Sequence, residues 1–250
     1  MLLRPFPNDT TSCASYLFGC TTHRKLAVVD PHADLVDDYL ATAAALGAPV
    51  VAVFETHVQA DYVSGLPALV ARTDATAYLP ADTGVEFAHV ALTDGEVVEL
   101  GNTLVTAIAT PGHAPRPSRL HGRRPAARNR RSVALFQRRL AADRRRRPAR
   151  PARRRRRAWS GGAVARQLKR LLELPDHVVL YPSHHAGWVC GRSLSGNPVS
   201  SIGFERAHNL LLAVTAADLR GRAGRREPPL PANQERIVAA NRAGRVGAPA

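Results

Sequence analysis

Short apolar runs alternate with polar, turn-forming segments along the first 113 residues. Residues 26–29 are an apolar run that stops at Asp30-Pro31, the pattern of a buried strand. Residues 34–46 place apolar side chains at helical spacing, and Gly47 ends the run. Residues 48–54 read as a second buried strand and 64–72 as a short helix. Residues 75–79, 86–92, 96–100 and 104–109 then read as strands, separated by Asp-Thr-Gly, Asp-Gly and Gly-Asn turns. Strand, helix, strand and a meander predict a mixed α/β fold.

The pattern breaks at residue 115 and returns near 160. Residues 163–174 predict an amphipathic helix, 177–181 a strand, 182–191 a loop, and 204–219 and 232–241 two further helices. Between them, residues 115–158 hold 19 arginines, no lysine and one acidic residue, Asp143. Only 132–140 within it has the composition of a brief element. The rest predicts disorder, because dense like charge repels and little apolar surface is available to bury.

This block changes the meaning of the global charge. It carries +18, and taking that from the chain's +15 leaves −3 for everything else. The basicity is local. It is compatible with a phosphate-binding arm, with an insert that attracts an anionic substrate, or with a segment translated out of register with its neighbours. Phe136 is the one aromatic residue among the arginines, so base stacking is not suggested and nucleic acid is an unfavoured partner.

A chain of 250 residues with 45% hydrophobic content can build one sizeable domain, and residues 1–250 are expected to form one. No apolar run reaches the length of a membrane span. Residues 1–10 lack the layout of a secretory signal, and three scattered cysteines do not make a disulfide framework. A cytoplasmic protein with no membrane partner is the expectation.

Candidate chemistry sits in three loops, each following an apolar strand. The first carries Thr56, His57, Gln59, Asp61 and Tyr62, the second Thr110-Pro111-Gly112-His113, and the third Tyr181-Pro182-Ser183-His184. Imidazoles and carboxylates at strand ends are held by rigid backbone, as a preorganised metal site requires. His57, Asp61, His113 and His184 are therefore the candidate metal ligands, with Asp61 and Tyr62 as candidate catalytic or orienting groups. His23, His32, His89, His121, His177 and His208 read as ordinary polar residues, and His185 as a neighbour of the site.

The order Thr-His-x-x-x-Asp, Thr-Pro-Gly-His and Pro-x-His resembles the metallo-β-lactamase superfamily, in its glyoxalase-II-like branch. Cys190-Gly191-Arg192 and the run from Ser195 to Arg206 are similar to the C-terminal segment of bacterial persulfide-dioxygenase-like members. The resemblance covers residues 12–113 and 160–242. It implies a four-layer αβ/βα sandwich with a metal site at one edge of its two sheets.

Two departures bear on chemistry. Gln59 and Tyr62 stand where the family motif has histidines, and neither is a good transition-metal ligand. A two-zinc hydroxyacylglutathione hydrolase needs nearly the whole ligand set. The resemblance to persulfide dioxygenases implies one Fe(II), held by His57, His113 and a later aspartate, acting on a small thiol or persulfide. No Gly-Asp segment to supply that aspartate exists within 115–158, and Asp143 lacks a strand and turn to aim it. The readings that follow are an iron-dependent persulfide dioxygenase, impaired in this chain by the missing carboxylate; a zinc-dependent glutathione thioester hydrolase; and an inactive fold with a nucleic-acid-binding arm.

Overall fold

A computed structural model describes residues 1–11, 13–81, 83–109, 118–126, 129–137, 170–184, 199–209 and 233–246. Two six-stranded sheets carry the architecture. The first runs in chain order through β1 (Leu2–Asn8), β2 (Cys13–Cys20), β3 (Lys25–Val29), β4 (Val50–Phe54), β5 (Thr76–Pro80) and β6 (Val90–Leu92). The pairings β1–β2 and β2–β3 are antiparallel, and those from β3 to β6 are parallel. Parallel neighbours need crossovers. A 3-10 turn (Ala33–Leu35) with α1 (Val36–Ala45) supplies the first, and α2 (Leu66–Arg72) the second.

The second sheet contains β7 (Val97–Leu100), β8 (Thr103–Ala109), β9 (Ser118–Ala126), β10 (Asn129–Gln137), β11 (Val179–Pro182) and β12 (Ser200–Ser201), in the spatial order β12-β11-β10-β9-β8-β7. It is antiparallel except for β10–β11. Helices α3 (Ile202–His208) and α4 (Gln234–Ala243) follow.

Strand alternation sorts side chains into three cores. Leu17 of β2 and Val28 of β3 pack with Val36 and Tyr39 of α1 and Leu66 and Leu69 of α2. Tyr16 and Phe18 point the other way and meet Val105, Ala107 and Phe136 of the second sheet, with the Phe18 and Phe136 rings 4.7 Å apart. Ile108 and Leu180 face outward from the second sheet, against Leu171 and Ile202. The order is helix, sheet, sheet, helix, as the resemblance implies. Among the described residues no helix is long and apolar enough to cross a membrane.

Part of the arginine-rich block corrects the expectation of disorder. Residues 118–126 and 129–137 are β9 and β10, an antiparallel pair between β8 and β11. Backbone ladder bonds are indifferent to side-chain charge, and Ala134 and Phe136 alternate into the interior at 1% and 0% exposure. The remainder of 115–158 lies outside the described residues, as do most of the helices expected at 163–174 and 204–219. The strand expected at 86–92 is confined to Val90–Leu92. Ahead of it, the Glu86 N–H donates to the Arg242 carbonyl at the end of α4.

Candidate functional site

The site is organised around a buried aspartate that ends β3. Asp30 has φ +49, left-handed backbone that an aspartate tolerates better than most residues. Its carboxylate is fully buried and accepts four donors: the Thr56 backbone N–H at 2.8 Å, the Thr56 hydroxyl at 2.9 Å, Gln59 Nε2 at 3.0 Å and the Ser183 hydroxyl at 2.6 Å. The third strand, the first candidate loop and the loop after β11 therefore meet on one side chain. Burial raises the Asp30 pKa, and the hydrogen bonds from Ser183 and Thr56 oppose it.

Glu55, likewise buried, lies beside Asp30. Burial lifts its pKa well above the usual carboxylate range, and the Asp30 charge lifts it further. Glu55 accepts from Gln59 Nε2 at 3.1 Å and from the Ser64 hydroxyl. One amide nitrogen, that of Gln59, thus serves two buried acids.

The same network sets the His57 tautomer. The single Thr56 hydroxyl proton goes to Asp30, so the hydroxyl oxygen accepts from His57 Nδ1 at 2.9 Å. The lone pair of the ring is then on Nε2, the form in which an imidazole ligates a metal. His57 is 1% exposed.

The other candidates are placed differently. Asp61 Oδ2 lies 2.8 Å from His184 Nε2, and both side chains are 2% exposed. His184 reaches this position because it bridges to Cys13 at the start of β2, next to a hydrogen bond from Ala14 N–H to the Ser183 carbonyl. Tyr62 donates to the Asp30 carbonyl at 3.1 Å, and its ring stacks on His32 at 3.6 Å. Burial pushes the pKa of the Tyr62 phenol up. His113 lies outside the described residues.

Sequence reasoning passed over His32. It is buried at the end of β3, where its Nδ1 lies 3.3 Å from Asn8 Nδ2. Burial lowers its pKa to about 4, with nearby His184 acting in the same direction and Asp34 against, so the ring is neutral. The signal was present, since His32 follows Asp30-Pro31 at a strand end as the other candidates follow theirs. Gly65 allows the first loop to close on this segment: a Cβ there would fall 2.6 Å from the His32 carbonyl.

Asn241 was missed for a different reason. It lies on α4, remote in sequence, yet hydrogen-bonds the backbone of residues 59, 62 and 64. No local pattern marks such a contact.

Gln59 Nε2 is committed to Asp30 and Glu55 while its buried Oε1 has no hydrogen-bond partner among the described residues, and the Tyr62 hydroxyl donates to a carbonyl. Among the described residues no three His, Cys, Asp or Glu side chains are placed to share an ion.

This architecture is the metallo-β-lactamase fold. The chain superposes on a metallo-β-lactamase from Staphylococcus aureus subsp. aureus COL with a TM-score of 0.87 and 22% identity, covering 98% of this chain and 74% of that one. It superposes on ETHE1 from Myxococcus xanthus with a TM-score of 0.76 and 26% identity, covering 97% and 99%. In sequence it is 29% identical over 145 residues to a probable metallo-hydrolase of Burkholderia pseudomallei strain 1710b, covering 46% of this chain. The match spans about half, 49%, of that relative's length. No protein-family model matches the chain.

Proposed function

We propose that this protein is a one-metal enzyme of thiol or persulfide chemistry rather than a two-zinc hydrolase. The observation that carries the reading is the commitment of Gln59 and Tyr62. Both stand where the resembled motif has imidazoles: the Gln59 amide nitrogen serves Asp30 and Glu55, leaving only its oxygen, a weak ligand, for a metal, and the Tyr62 hydroxyl donates to the Asp30 backbone carbonyl. What remains suits a single ion, with His57 presenting Nε2 and His113 as its companion ligand.

A bound Fe(II) would supply open coordination positions for oxygen and a thiol. The chain's own residues do the rest. Asp30 and Thr56 hold the His57 ring and its tautomer, and Asp61 holds His184 at the edge of the same loop. The resemblance in sequence to persulfide dioxygenases favours glutathione persulfide as substrate, converted with oxygen and water to sulfite and glutathione. The missing third carboxylate lowers the expected activity of this chain, because two imidazoles alone make a weak site.

Metal analysis combined with oxygen uptake tests the proposal. At most one iron per chain, with oxygen consumption only when glutathione persulfide is present, is the expected result. Two zinc ions per chain, with thioester cleavage in the absence of oxygen, would overturn it in favour of the hydrolase.

A further inference from the structure

The C-terminal helix reaches into the candidate loop through one side chain. Asn241 Nδ2 donates to the Gln59 carbonyl at 3.1 Å and to the Tyr62 carbonyl at 3.0 Å, while its Oδ1 accepts from the Ser64 N–H at 2.9 Å. All three bonds are buried, and Asn241 is 7% exposed. The amide orientation is unambiguous, because a flipped group would set its oxygen against two carbonyl oxygens.

The two carbonyls belong to the positions at which this chain has lost motif histidines, and they flank Asp61. A loop with its ligand imidazoles can be tied together by the metal it binds. Here Gln59 and Tyr62 are poor ligands for such a tie, and Asn241 fastens the backbone at both positions. The helix is fixed in turn: Gly244 ends α4 at φ +65 and packs so closely on Phe87 that a Cβ would fall 2.5 Å from its ring, while the Arg242 carbonyl accepts from Glu86.

We infer that Asn241 is a positioning residue that latches the loop of residues 59–64 and so aims Asp61 at His184. Its consequence for metal binding rests on the one-metal reading; the latch itself does not.

The test is amide hydrogen exchange of the metal-free full chain, with Asn241→Asp and Asn241→Ala beside the wild type. The aspartate keeps the acceptor for Ser64 but replaces both donors with an oxygen facing two carbonyls. Exchange at Ser64 and Gly65 should accelerate by about tenfold or more, as expected for losing buried hydrogen bonds, with β3 amides unchanged. Rates within twofold of wild type in both variants would overturn the latch. Should neither variant fold, wild-type exchange under rising denaturant decides: Ser64 should open together with the α4 amides, and continued protection of Ser64 after α4 exchanges would refute the idea. Co2+ titration, followed by its absorption bands, separates the two claims. Faster loop exchange together with Co2+ affinity weakened about tenfold supports both. Faster exchange in the variants with no Co2+ bound by wild type leaves the latch standing and removes the one-metal reading.

Discussion

The Gln59 amide nitrogen donates to Asp30 Oδ1 at 3.0 Å, across 29 positions of sequence, inside a region closed to solvent. A residue at a motif position is thereby part of a structural network. The loop keeps its shape through hydrogen bonds among Asp30, Glu55, Thr56, Gln59 and Ser64, in an interior where each unmade bond is costly.

Replacing Gln59 by leucine should therefore destabilise the fold. Two buried acids lose a shared donor, at a cost of about 1–3 kcal/mol. Urea unfolding of the metal-free protein measures this. A change of less than about 0.5 kcal/mol would mean that Gln59 does not support the loop.

His32 predicts an acid-sensitive share of stability. Its folded pKa is about 4, below the ordinary 6.5, so between these values the unfolded state binds the proton more readily. Stability from His32 is present above pH 6.5 and is lost as pH falls toward 4, by about 3 kcal/mol in all. A His32→Gln variant should show a shallower decline between pH 6.5 and 4.5 than the wild type. Parallel slopes would contradict the prediction.

Cys20 predicts selective thiol reactivity. It ends β2, far along the strand from the candidate site, with its sulfur 3.2 Å from His23 Nδ1. Burial pushes its pKa up, but backbone N–H groups of Asn102 and His23 and the His23 ring outweigh this and bring it down to about 7. Iodoacetamide should modify Cys20, buried at 6% exposure, with a midpoint near pH 7, ahead of Cys13 at 0%. His23→Ala should move the midpoint toward the ordinary thiol range of about 8.5. Mass spectrometry of the two peptides follows both effects.

The proposed out-of-register reading of part of residues 115–158 predicts an outcome in the coding DNA. The family-like pattern stops after His113 and resumes near Trp159, with an Arg-, Pro- and Ala-rich run between. A stretch read out of register should encode a Gly-Asp segment in another frame across these codons. Its absence from the other frames would contradict the out-of-register reading.

Much of the first half of the fold was legible because its periodicity is local. The helix expected at 34–46 is a 3-10 turn plus α1, and the strand expected at 48–54 is β4. The N-terminal hairpin was not read. Every residue of β2 is buried, so it lacks alternation, and β1 carries Pro5 and Pro7, which disguise an edge strand. The strand β6 came out shorter than its pattern because Glu86 and Phe87 are engaged by the end of α4, a contact no local rule anticipates.

The candidate site divides along the same line. That His57 and His184 follow apolar strands, with Asp61 close to His57, was determined by the sequence alone, because strand and loop alternation is a property of neighbouring residues. The roles of Gln59 and Tyr62 were decided by tertiary structure. Sheet packing brings Asp30 and Ser183 together across 153 residues and leaves the acids buried, so that desolvation makes every available donor matter. The contribution of Asn241 was decided there too, because it exists only where a helix some 180 residues away in sequence lies against the loop.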